Sequence, residues 1–395
     1  MAVLAQKGPE MTAAPNQGIE FAERLRQLVQ AYEKAGEGED PGSLLPESAF
    51  HDWARALAAW QAQTIPLYRS WWEQQGKIPE RIDSWRQIPP LPVQAFAVGE
   101  VTALFPEQRL RYFLSSGTTS GQRSRHFHSP ESLKLYETVL WPPFQRHLLP
   151  PSAPPIQKAA SLTPPLEQVP ESSLVHMIHT VMKQMGVPAV FFGWKENGGS
   201  WGLDCQALAS FLDRVVMEQS PVLLLGTAFA WVHFLDFLER EGRSFQLPWG
   251  SRLMETGGYK GRSRELTRSE LFQRLSVKLG IPSKFLVGEY GMCELSSQAY
   301  DQIVGRPETA DRPENRIYRF PPWVRIRVLS PETGEDLPPG QPGLLALCDL
   351  ANVWSVACLL TQDLVVGVDA FSFRFQGRSP KALPRGCSLF FMEEV

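Results

Sequence analysis

The chain has 395 residues, enough for one large core or two to three sub-domains. Its 43% hydrophobic and 21% charged content is that of an ordinary globular protein, and a net charge of −3 gives no reason to expect a nucleic-acid partner. Five scattered cysteines without zinc-ligand spacing argue against a disulfide framework and point to a reduced, cytoplasmic protein.

Residues 1–18 carry no sustained apolar run, so a disordered N-terminus without a secretory signal is expected. From Ile19 to Lys34 the apolar residues Phe21, Leu25, Leu28, Val29 and Tyr32 recur at helical spacing, and Gly36 supplies a stop. A second helical zone covers 46–75, with Trp53, Trp60, Tyr68, Trp71 and Trp72 as packing residues. Together, residues 19–100 read as a helical N-terminal region packed on the main body. Prolines make 88–96 an extended connection. Over 101–310 short apolar runs alternate with helical patterns: RYFLSS, a helix near 130–147, AVFFG, a helix near 204–218, VLLLG, a helix near 228–240, and KFLVGEYG. That alternation predicts an α/β core with a largely parallel sheet flanked by helices. The Pro-rich segment 149–170 reads as a surface loop. The apolar stretch 221–238 is interrupted by Gly226, His233 and Asp236 and is too short to span a bilayer. From 311 to 395 the character changes to a β-rich sub-domain with a C-terminal tail. RIYRF, WVRIRVLS, LLALCDL, VACLL and FSFRFQG are its strands, and SPETGE and PPGQPG its turns.

Four short segments carry chemistry. The first is Ser115, Ser116, Gly117, Thr118, Thr119, Ser120 and Gly121, a run of small donors after an apolar strand, able to wrap an oxyanion such as phosphate. It lacks the GxxxxGK[ST] spacing of nucleotide triphosphatases, and taken alone it is equally the composition of a solvated turn. The second is the pair Gly257-Gly258 after RLMET, where missing side chains allow close approach to a flat ring. The third is Tyr290-Gly291-Met292-Cys293-Glu294 at the end of an apolar strand. The fourth joins Asp363, an acceptor-only carboxylate suited to a vicinal diol, with Arg378 after a later strand. Each is also met as an ordinary strand end. His126 and His128 flank the phosphate-loop candidate and fit either a surface or a substrate role. His176 and His179 sit one helical turn apart without a third metal ligand. Phe191, Phe192, Trp194, Phe229 and Trp231 fit either an acyl pocket or the core.

In this order the segments resemble the adenylate-forming enzymes, whose phosphate loop runs close to [ST]SGTTGxPK and whose later motifs are YGxTE, a TGD-like aspartate and a GR. Here Ser120 precedes Gly121, Cys293 stands for threonine and Gln362 for glycine. The resemblance implies ATP and Mg²⁺ as cofactors. It assigns the nucleotide to Ser115, Ser116, Gly117, Thr118, Thr119, Gly121, Gly257, Gly258, Tyr290, Gly291, Asp363 and Arg378. Glu294 becomes the Mg²⁺ ligand, with Thr119 beside it in catalysis.

Within that group, GGYKGRSREL, the GEYGM-E-LSSQ-Y stretch and the terminal RGCSL resemble the LuxE-type acyl-protein synthetases of bacterial bioluminescence. Like them, the chain is expected to lack a second, lysine-bearing domain, since it stops at Val395. The resemblance implies activation of a fatty acid as acyl-adenylate, transfer to Cys387 as a thioester, and delivery to an acyl-CoA-reductase-like partner subunit. Independently, Arg385 and Lys381 near Cys387 favour the thiolate that such chemistry needs. Two alternatives remain: an adenylating ligase with a separate thiol or amine acceptor, and a degenerate structural subunit of a reductase complex.

Overall fold

The computed structural model describes residues 17–35, 41–115, 123–197, 199–257, 266–306 and 312–379. Three helices come first: α1 (Gln17–Lys34), α2 (Glu47–Thr64) and α3 (Pro66–Gln74). Then follow β1 (Leu91–Pro92), α4 (Ala95–Val98), β2 (Arg111–Leu114), β3 (Arg125–His128) and α5 (Pro130–Leu148). The middle of the chain holds β4 (Lys158–Ser161), α6 (Ser173–Met185), β5 (Ala189–Phe191), β6 (Gly193–Lys195), β7 (Trp201–Leu203) and α7 (Cys205–Glu218). After these come β8 (Val222–Thr227), α8 (Ala228–Arg240), β9 (Arg252–Thr256), α9 (Arg268–Leu279), β10 (Leu286–Tyr290) and β11 (Ala299–Tyr300). The last strands are β12 (Tyr318–Arg319), β13 (Val324–Leu329), β14 (Pro342–Asp349), β15 (Cys358–Gly367) and β16 (Ser372–Arg378).

The chain divides into two units, and it passes between them more than once. The first contains the residues up to Pro142, the short piece Met292–Ser297, and everything from Arg319 on. The second contains Pro143–Gly291 and Gln298–Tyr318.

The second unit is a doubly wound α/β sheet. Its parallel strands lie in the order β5-β4-β8-β9-β10, and β11 adds antiparallel to β10. Reading only the parallel strands, this is the 2-1-3-4-5 order of flavodoxin-like sheets, which bind ligands at the carboxyl ends of the strands. Leu223, Leu224, Leu225, Leu253, Met254 and Val287 are completely buried, as expected of parallel strands covered on both faces. Each crossover helix begins at a polar cap. Ser172, Asp204, Thr227 and Thr267 accept backbone N–H groups of α6, α7, α8 and α9, the last within a capping box to Glu270.

The first unit holds an antiparallel meander, β13-β14-β15-β16, with β1 parallel to β15. Its core includes Leu329, Leu344, Ala346 and Leu360. Gln61 of α2 is fully buried and satisfies both ends of its amide. Nε2 donates to Asn352 O at 2.7 Å and Val353 O at 3.0 Å, and Oε1 accepts Ala357 N–H at 3.0 Å. Cys348 and Cys358 are direct partners across β14 and β15, and the bond from Asp349 N to Ala357 O marks theirs as a non-hydrogen-bonded pair.

The structure departs from the sequence reading at several points. The helical zone 46–75 breaks at Ile65, which is extended because Pro66 follows and opens α3. The 88–96 connection contains a short strand on Leu359–Leu360 and a helical turn. RYFLSS does not join the parallel sheet; β2 pairs antiparallel with β3 as a separate hairpin. The Pro-rich stretch 149–170 is not wholly a surface loop. It contains β4, whose Ala159, Ala160 and Ser161 are completely buried between β8 and β5. Proline density flagged the flanks and masked the four-residue strand between them.

Leu224 fills the centre of the second unit. Leu224→Ala is expected to lower the unfolding free energy by about 2–5 kcal/mol in chemical denaturation. Met217→Ala, at an 82% exposed position, is expected to stay within about 0.5 kcal/mol of the parent.

Candidate active site

In the first unit the site begins at the neck of the β2–β3 hairpin. Ser115 N–H donates to Ser124 O at 3.1 Å, and Ser124 N–H donates to Ser115 Oγ at 2.9 Å. Arg123 Nε adds a third bond to Ser115 O at 2.6 Å. Ser115 therefore closes the loop, with its hydroxyl oxygen engaged by the backbone. Ser116, Gly117, Thr118, Thr119 and Gly121 lie outside the described residues, as do Gly258 and Cys387.

Glu294 is buried, and the Ser124 side chain hydrogen-bonds its carboxyl. Burial raises its proton affinity above the ordinary carboxylate range, against the Ser124 bond and the positive charge of Arg378; the negative charge of Asp363 adds to the rise. Asp363 and Arg378 are direct partners across β15 and β16, joined by an Arg378 Nε bond to Asp363 Oδ1 at 3.3 Å. Arg378 is largely exposed while Asp363 is buried, so the pair itself adds little stability. Thr361 Oγ accepts the Asp363 N–H at 3.1 Å and fixes the carboxylate's backbone. Ser115, Glu294, Asp363 and Arg378 thus belong to one electrostatic neighbourhood.

His126 of β3 lies in the same unit. Its Nδ1 is 2.9 Å from Cys293 O. A carbonyl only accepts, so Nδ1 carries the hydrogen and Nε2 the lone pair. Burial pushes the imidazole down to about 4, in spite of that bond. Ser124 and His126 therefore tie the hairpin to two successive residues of the Met292–Ser297 segment.

The second unit carries the remaining described candidates at the carboxyl ends of β9 and β10. Gly257 has φ +69°, a left-handed conformation that favours glycine. Gly291 leaves room for Glu289, since a Cβ there would stand 2.5 Å from Glu289 Oε1. The Tyr290 ring lies 6.1 Å from that of Tyr318 at a tilt of 60°. In register, Thr256 faces Glu289 and Glu255 faces Gly288, so alternation sends the two glutamates to opposite faces of the sheet. Thr256 Oγ hydrogen-bonds Glu289, whose carboxyl burial pushes up to about 7. Burial also pushes Glu255 up to about 7. Arg268 is 3.6 Å from Glu255 but 2.6 Å from Asp301, and that shorter contact leaves Glu255 only partly neutralised.

Of the aromatics, Trp231 is core: it is fully buried and its Nε1 donates to Met254 O at 3.4 Å. Trp194 is exposed. His176 is buried on α6, and no group of three or more potential metal ligands occurs among the described residues. Sequence reasoning missed Ser124, Glu289, Asp349 and Asn352. The bonds that single out the last two run to the distant segment 294–297, and no local spacing flags them.

Residues 167–394 match the family described as "Acyl-protein synthetase, LuxE". The chain belongs to that family. A curated relative, the long-chain-fatty-acid–luciferin-component ligase of Vibrio harveyi, is 24% identical over 164 residues. That match covers 41% of this chain and 40% of the relative, well under two thirds of its length. Among solved structures, an open 2-hydroxyisobutyryl-CoA ligase in complex with 2-HIB-AMP and CoA aligns over 96% of this chain and 75% of its own, with a TM-score of 0.59 at 14% identity. The same ligase in its postadenylation state with 2-HIB-AMP covers 96% and 73%, with a TM-score of 0.57 at 13% identity. At such identity the likeness carries the fold alone, and the fold is the α/β fold of the adenylate-forming enzymes. No helix among the described residues is long and apolar enough to cross a membrane.

With a His126 proton affinity below that of the free side chain, the unfolded chain binds a proton between about pH 6.5 and 4 that the folded chain does not. Stability from this residue is therefore lost as pH falls through that window. His126→Asn keeps an N–H donor and removes the titration. Its melting temperature is expected to fall less than the parent's between pH 7 and 4.5, measured by calorimetry. An imidazole NMR titration of the parent with a midpoint near 6.5 would contradict this account.

Proposed function

We propose that this protein is an ATP-dependent acyl-protein synthetase that activates a fatty acid, long-chain by its family likeness. The observation that carries the reading is Glu294: a buried carboxylate hydrogen-bonded at the neck of a Ser/Thr/Gly loop and within the field of Asp363 and Arg378. The residues fit Mg²⁺ of the kind that takes most of its oxygens from phosphate and water, since one carboxylate suffices for such an ion. Glu294 would hold it, and the bound ion would neutralise charge on the phosphates.

The carboxylate oxygen of the acid attacks the α-phosphorus of ATP, the bond to the bridging oxygen breaks, and pyrophosphate leaves. Ser116, Thr118 and Thr119 are assigned to the phosphates, where donors aimed at developing charge stabilise the transition state. Asp363 accepts both ribose hydroxyls, and Arg378 holds it from the neighbouring strand. Tyr290, Gly257, Gly258 and Gly291 are assigned to the adenine. The Cys387 thiol gives its proton to solvent, the thiolate attacks the acyl carbonyl carbon, and AMP leaves. The resulting thioester is delivered to a fatty-acid reductase partner.

Pyrophosphate exchange with fatty acids of graded length tests the first step. Glu294→Gln is expected to lower the exchange rate about 10²–10³-fold, the loss typical of one preorganised charge-stabilising group. Asp363→Ala is expected to raise the KM for ATP roughly 10- to 100-fold with a smaller effect on kcat, the size of a lost charge-assisted hydrogen bond. Labelled fatty acid should become protein-bound in the parent and not in Cys387→Ser. Exchange without protein-bound label would instead favour a separate thiol or amine acceptor, and no exchange with any acid defeats the reading.

A further inference from the structure

The piece from Met292 to Ser297 carries Glu294 and belongs to no helix or strand, yet Cys293 to Ser297 are all buried. Buried backbone outside secondary structure must find its hydrogen bonds elsewhere. Here they come from the turn that follows β14. Asp349 Oδ2 accepts the N–H groups of Ser296 at 3.2 Å and Ser297 at 2.9 Å. Its Oδ1 accepts Ser297 Oγ–H at 2.8 Å and Ala351 N–H at 2.9 Å. Asn352 Nδ2 donates to the carbonyl oxygen of Glu294 itself at 2.8 Å and to Val356 O at 3.1 Å. Asn352 Oδ1 accepts Ser296 Oγ–H at 2.7 Å. Trp323 Nε1 closes the set on Ser297 Oγ at 2.9 Å, and Gln61 holds the Asn352 carbonyl from α2.

Neither side chain is among the groups assigned to substrate. What they control is the position of four consecutive residues, 294, 296 and 297 being bonded directly and 295 enclosed between them. Ser124 and His126 grip the same segment from the hairpin. We infer that Asp349, together with Asn352, is a positioning residue for the adenylation step: it fixes the backbone on which the Glu294 carboxylate stands. The inference rests on the role given to Glu294 above. Burial pushes the Asp349 carboxyl up to about 6, against the four bonds that favour its ionised form, so the bonds do more than decorate a carboxylate that would be charged anyway.

Asp349→Asn keeps the shape but replaces one acceptor oxygen with an NH₂, so that at least one pair of donors meets a donor. The expected result is a fall of about 10- to 100-fold in kcat for pyrophosphate exchange, the scale of a sub-ångström to 1 Å misplacement of a reacting group. The KM for the fatty acid should be unchanged, and the Mg²⁺ concentration for half-maximal rate should rise. The deciding measurement is the double variant. If Asp349 acts through Glu294, Glu294→Gln with Asp349→Asn should match Glu294→Gln alone within about twofold, because coupled residues are non-additive. A double variant that multiplies the two losses, or a single Asp349→Asn with parental kcat, overturns the inference. Should Asp349→Asn not fold by circular dichroism, Ser296→Ala carries the same test. It removes the Oγ bond to Asn352 and leaves the Ser296 N–H bond to Asp349 in place, with an expected loss of about 3- to 10-fold, the scale of one hydrogen bond. If Glu294→Gln leaves exchange untouched while the parent is active, it is the assignment of Glu294 that falls, and this inference with it.

Discussion

A short piece of irregular chain, buried and with a single backbone bond of its own from Leu295 N to Met292 O, is the constraint on which the first unit is organised. Water cannot reach the N–H groups of Ser296 and Ser297, and leaving each unpaired costs about 1–3 kcal/mol. One carboxylate, Asp349, meets both. That solution forces a buried charge, which in turn needs Ser297 Oγ and Ala351 N–H. The turn that supplies them needs Asn352, and Asn352 needs Gln61 from a helix almost 300 residues earlier. The polar interior of this unit is thus a chain of obligations, each one satisfied by the next.

The second unit solves a different problem. Its central parallel strands β4, β8, β9 and β10 are completely buried in their middles, and two glutamates stand at the carboxyl ends of β9 and β10. There the two-residue alternation separates Glu255 and Glu289 onto opposite faces. On one face Arg268 and Arg316 balance Asp301 and part of Glu255. On the other, Glu289 has Thr256. Both glutamates hold protons well above their usual range, so the folded chain binds more protons than the unfolded one between about pH 4.5 and 7. Their contribution to stability is present in acid and lost as pH rises through about 7, opposite in sign to that of His126.

Much of this was legible in the sequence. Helix positions followed from apolar spacing, and α7 and α8 fall where the periodicity put them. The strands VLLLG and KFLVGEYG were visible as apolar runs with glycine ends. What stayed hidden is non-local. β4 is four residues long and flanked by prolines, so no window of composition shows it. The antiparallel pairing of RYFLSS depends on Arg125–His128, which reads as a polar loop until it is seen as half a hairpin. At the site, Glu294, Asp363 and Arg378 could be named from their motifs, but Asp349 and Asn352 could not. Their importance lies in which backbone they hold, and nothing local in the sequence says where that backbone passes.

The four described cysteines, Cys205, Cys293, Cys348 and Cys358, are all inside the protein. Burial pushes Cys205 up to about 11 and Cys348 higher than a free thiol. Only the thiolate is a nucleophile. The fold therefore acts as a chemical filter on its own sulfur: an electrophile presented to the intact molecule finds these four positions screened by packing.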